Sequence, residues 1–150
     1  MRVMQIPMEQ LGPVLDEQLA RGEALLPVTG NSMWPMLSGG RDMVRLARPG
    51  RPLRPGDTAL FRRAGGQYVL HRVIRAEGEM LLFCGDSQWQ PERVPRERVV
   101  ALVTAFRRRG RWRSTADSRG YRAYARLWTG GFRLRRPLLG LLGLLRRMKP

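Results

Sequence analysis

Residues 57–76 read Asp57-Thr58-Ala59-Leu60-Phe61-Arg62-Arg63-Ala64-Gly65-Gly66-Gln67-Tyr68-Val69-Leu70-His71-Arg72-Val73-Ile74-Arg75-Ala76. Two largely apolar runs, 57–63 and 67–76, flank the turn Ala64-Gly65-Gly66, which is the signature of a β-hairpin. The same texture recurs on both sides. Short runs at 24–28, 42–47, 80–84 and 99–106 read as strands. The segment 48–56, with three prolines and two glycines, reads as a loop, and so does the polar stretch 88–95. Ahead of them, 8–21 places Leu11, Val14, Leu15 and Leu19 at helical spacing and stops at Gly22. Six strands and one leading helix predict a mostly β (α+β) domain over 1–106.

Beyond residue 106 the composition shifts. Residues 107–150 hold 14 Lys and Arg against one acid, Asp117, whereas 1–106 hold 14 Arg against 11 acids. The net charge of +16 therefore belongs mainly to the tail. Residues 107–118 read as a linker or a fraying strand end. A helix is predicted over 121–128, with Tyr121, Tyr124, Ala125 and Trp128 at i, i+3, i+4 and i+7. Arginine groups bracket the leucines of 138–145. That run is about 12 Å long as a helix, too short to span a bilayer.

The chemistry-bearing residues are few. His71 is the one histidine and Lys149 the one lysine, so a serine hydrolase built on this chain has His71 as its base. Ser32 lies in Gly30-Asn31-Ser32-Met33-Trp34-Pro35-Met36-Leu37, where Gly30 allows a turn and Pro35 blocks immediate helix formation. Carboxylates follow at Asp86, in Cys84-Gly85-Asp86-Ser87-Gln88, and at Glu92. Cys84 ends an apolar run and reads as a core residue; being alone, it excludes an internal disulfide. One histidine and one cysteine cannot build a four-ligand metal site, and no phosphate-binding glycine loop with a lysine is present. No metal or cofactor is expected.

In this order the motifs resemble the signal-peptidase and SOS-repressor superfamily of serine peptidases. Residues 30–37 are similar to its serine box. Leu53-Arg54-Pro55-Gly56-Asp57-Thr58-Ala59-Leu60-Phe61 resembles its second box, Tyr68 to Ile74 the base-bearing strand, and Gly85-Asp86-Ser87 its Gly-Asp box. A histidine at the base position is similar to the archaeal and endoplasmic-reticulum branch. The resemblance implies a small β domain with Ser32 as nucleophile, His71 as base and an acid as third member. It also implies a preference for small residues before the cleaved bond. Asp86 is the first choice for the acid, Glu92 its rival, and Asp57 is read as a turn-former. Gly30 stands where many signal peptidases carry a serine, which leaves the backbone N–H groups of Ser32 and Met33 for the oxyanion.

Only 31 residues precede Ser32, and they resemble neither a signal peptide, a membrane anchor nor a helix-turn-helix. The expectation is a cytoplasmic peptidase, soluble or peripheral on the membrane, acting on a peptide or preprotein. In the tail, Arg133, Arg135, Arg136, Arg146 and Arg147, with Lys149, suit an anionic membrane surface. The competing reading docks the tail on the domain through its leucines. Nucleic-acid binding is disfavoured, because phosphates gain nothing from eight apolar residues. Two non-enzymatic alternatives stand beside the peptidase: a peptide-binding module on the same fold, and a basic adaptor.

Overall fold

The computed structural model describes residues 8–148. Helix α1 (Met8–Ala20) leads into β1 (Ala24–Pro27) and β2 (Met43–Ala47). The central hairpin is β3 (Thr58–Arg62) and β4 (Tyr68–Glu77), followed by β5 (Met80–Cys84), β6 (Glu92–Pro95), β7 (Val99–Arg108) and β8 (Arg111–Ser114). Helices α2 (Arg119–Gly130) and α3 (Arg135–Arg147) close the chain, joined by a short 3-10 turn. The strands form one antiparallel sheet in the order β1-β2-β7-β3-β4-β5-β6, with β8 pairing β7. A mostly β domain with a leading helix and helical tail is therefore what the chain forms.

Two apolar clusters lie on opposite faces of β3, whose side chains alternate between them. Leu60 joins Leu15 and Leu19 of α1, Met33, Met36 and Leu37 of the serine loop, and Tyr121 and Ala125 of α2. Ala59 and Phe61 join Val73, Leu81, Phe83 and Val94. The register Ala59↔His71 fixes His71 on the face of the second cluster. Arg72 consequently points to the other.

Two expectations need correction. Residues 92–95 form an edge strand, paired Phe83↔Glu92 through Met80↔Pro95, where a loop was expected. Pro95 is tolerated because an edge strand leaves one side unpaired. Of the two readings of 107–118, the strand end is nearer than the linker: β7 runs on to Arg108 and turns back into β8 through Arg109 and Gly110, with φ of 51° and 78°. Positive φ at both loop residues is the hairpin type usually marked by Asn-Gly, so Arg-Gly gave no signal. Strand β7 thus continues through residue 106. The predicted helical face at 121–128 does form, and it buries Tyr121, Ala125 and Trp128 against the domain.

Candidate active site

Ser32 sits half-buried on the loop between β1 and β2. Gly30 takes φ +68°, which turns the chain sharply ahead of it. Met33, Met36 and Leu37 anchor the loop in the first cluster, and Asp42 fastens its far end by accepting the Ser38 N–H at 2.8 Å. The Ser32 carbonyl accepts both the N–H of Ser87 (2.9 Å) and its hydroxyl (3.1 Å). Gly85 packs so closely that a Cβ there would lie 2.6 Å from the Ser32 carbonyl oxygen. Among the described residues, no carbonyl accepts the N–H of Ser32 or Met33.

His71 is buried, 4% exposed, with the Phe61 ring 6.1 Å away and inclined 66° to its own. Burial pushes its pKa down to about 4; Arg63 and Arg135 act in the same direction, and Glu92 and Asp86 oppose it. The imidazole is therefore neutral near pH 7. Its Nδ1 is buried without a hydrogen-bond partner and lies 3.8 Å from Oε1 of Glu92. Register explains this pairing. Val73 faces Phe83, and Phe83 faces Glu92, so Glu92 shares the face of His71 two residues along β4. Arg63 holds the carboxylate with both ends of its guanidinium, at 2.7 and 3.1 Å.

Asp86 is committed elsewhere. Fully buried on the opposite side of β4, it accepts Nε and Nη2 of Arg72 at 2.8 and 2.9 Å and the Tyr124 hydroxyl at 2.9 Å. Burial works to lower the Arg72 pKa, but the charge and hydrogen bonds of Asp86 outweigh it and raise it. Burial and then the Asp86 charge push the Tyr124 hydroxyl up as well. Asp86 thus forms a structural ion pair and makes no contact with the imidazole; the neighbouring acid is Glu92.

The tail completes this network. Trp128 Nε1 donates to the Asp86 carbonyl at 2.9 Å, and Arg135 donates to the carbonyls of Gly85 (3.0 Å), Gln88 (3.3 Å) and Trp128 (3.0 Å). Arg135, expected on a membrane face, is instead fully buried under the turn that holds Ser32. Arg133, Arg136, Arg146 and Arg147 remain exposed. Lys149 lies outside the described residues. Burial pushes the Cys84 thiol up to about 11, which fits a core residue rather than a nucleophile.

The structure thus brings Ser32 to the Gly85–Ser87 turn and His71 to Glu92. Cys84, just before that turn, is the register partner of Arg72, the residue that follows His71 on β4. No hydrogen bond joins Ser32 and His71 among the described residues. Sequence reasoning missed Arg63 and Arg72, and it gave Tyr124 and Arg135 other roles, on a helix face and on a membrane surface. Arg72 did carry a signal, since a charge inside an apolar strand requires a buried counter-charge.

The chain matches the Peptidase S24-like family over residues 7–104. No curated protein matches it. The family match carries a peptidase- or repressor-type fold, and the family includes non-catalytic members. It ends before β8, α2 and α3.

Proposed function

The chain belongs to the Peptidase S24-like family, and from that premise we propose that it is a serine endopeptidase of the histidine-base kind, with Ser32 as nucleophile, His71 as base and Glu92 as the orienting acid. The supporting observation is the Arg63–Glu92–His71 chain, in which a carboxylate fixed by an arginine faces the buried Nδ1 of a neutral imidazole. Ser32 Oγ attacks the scissile carbonyl carbon as its proton passes to His71 Nε2. The tetrahedral oxyanion is received by the backbone N–H groups of Ser32 and Met33. The imidazolium, stabilised by Glu92, returns the proton to the leaving amine as the C–N bond breaks. Water then releases the acyl group by the same route. Closing the 3.8 Å gap by about 1 Å would turn the His71–Glu92 contact into a hydrogen bond.

A second reading follows from the missing Ser32–His71 hydrogen bond: a non-catalytic module that holds a peptide as an added strand on an open sheet edge. Comparing protein N-termini in cells carrying wild type and Ser32→Ala separates the two. New N-termini that require Ser32 establish proteolysis and identify the substrate. Identical sets, with the variant folded and expressed, leave the peptide-binding module.

A further inference from the structure

We propose that the exposed leucine face of α3 docks the protein on an anionic lipid surface, with the Ser32 loop beside that contact. The helix packs on the domain through Arg135 and Leu139. Its other face is unpartnered. Leu134, Leu138, Leu141, Leu144, Leu145 and Met148 are 36–71% exposed. Five of these, at i, i+4, i+7, i+11 and i+14, line one stripe about 20 Å long. An apolar stripe of this length facing water marks an interaction surface.

Charge selects the occupant. After Asp117 no acidic residue follows through residue 148, while eight arginines do. A second copy placed face to face would bring like charges together. Nucleic acid would satisfy the arginines and leave the leucines in water. An anionic bilayer surface answers both, since leucines enter the acyl boundary and arginines meet headgroups. No helix among the described residues is long and apolar enough to cross a membrane, so α3 would lie along the surface.

The helix also runs past the candidate site. Arg136 stacks over Trp89 at 5.7 Å, and Arg146 stacks over Trp34, two residues from Ser32, at 5.6 Å. Docking would therefore present the Ser32 loop to substrates held at the bilayer. The docking itself does not depend on Ser32 chemistry.

Vesicle co-sedimentation of the full chain tests this, using phosphatidylcholine alone and phosphatidylcholine mixed with phosphatidylglycerol. The expected result is binding to the anionic vesicles only. The double variant Leu141→Asp/Leu145→Asp, with an unchanged melting temperature, should weaken it by at least ~tenfold. Ser32→Ala should bind like the parent. The proposal is overturned if the anionic vesicles leave the protein in solution, or if the leucine variant binds them equally well. It is also overturned if that variant abolishes self-association but leaves vesicle binding intact, or if the protein prefers duplex DNA to anionic vesicles.

Discussion

Removing each of the two rival carboxylates should produce opposite phenotypes. Asp86→Ala deletes the charged partner of Arg72, whose side chain is wholly buried and would keep the Gly56 carbonyl at 2.7 Å and weak contacts to Met36, Tyr121 and the ring of Tyr124. Stranding a buried charge in this way costs about 3–5 kcal/mol. Against a typical stability of roughly 5–15 kcal/mol this is a large loss, and at about 2–4 °C per kcal/mol it lowers the melting temperature by about 10 °C. Glu92→Gln breaks an ion pair whose side chains are 34% and 43% exposed, so it costs at most about 1 kcal/mol. Its effect falls on Ser32-dependent cleavage, which should drop at least ~tenfold while the fold persists. Because Glu92 raises the His71 pKa, its loss should also move the acid limb of the kcat/KM profile to lower pH. Thermal melting and a peptide-cleavage assay on both variants read these effects. If Asp86→Ala is too unstable to isolate, Arg72→Met/Asp86→Ala removes the stranded charge and should recover part of the loss. An Asp86→Ala variant that melts within about 2 °C of wild type would overturn the buried-charge role given to Asp86. A fully active Glu92→Gln beside a folded, inactive Asp86→Ala would refute the choice of Glu92 as the orienting acid.

Two further outcomes follow. His71 has a folded pKa of about 4 against about 6.5 unfolded, so the unfolded chain takes up its proton first as pH falls. The stability held above pH ~6.5 should fall by up to about 3 kcal/mol between pH ~6.5 and ~4. Denaturant midpoints should show a shallower decline for His71→Gln, and an equal decline would contradict the burial argument. Deleting residues 119–150 strips Tyr124 and Arg135 from the buried Arg72–Asp86 pair and uncovers the surface under Tyr121, Ala125 and Trp128. The truncated chain should be insoluble or molten in circular dichroism; a cooperative, near-native melt would show the tail to be dispensable.

Much of the fold was legible locally. The alternation through Tyr68–Ile74 and the glycines at 65–66 defined the hairpin, and the spacing of Tyr121, Tyr124, Ala125 and Trp128 defined the face that α2 buries. Strands β6 and β8 were hidden because each is a four-residue edge element in which charged or polar residues interrupt the apolar ones, Val94 and Pro95 in β6 and Trp112 in β8. Such segments become strands only because a neighbour offers them hydrogen bonds.

The sequence by itself left His71 as the one base open to a serine hydrolase and placed it on a strand by alternation, while the motif resemblance pointed to Ser32 as nucleophile. It also determined the concentration of positive charge after residue 106. From the motif order it favoured Asp86 over Glu92, but both follow β5 within eight residues and the face each reaches is not legible there. Tertiary structure set the two on different faces. Cross-strand register carries Glu92 to the face of His71, while the one-residue step to Arg72 turns to the opposite face and takes Asp86 with it. Packing likewise divided the tail's arginines, burying Arg135 beneath the turn that grips Ser32 and leaving the leucine stripe of α3 exposed.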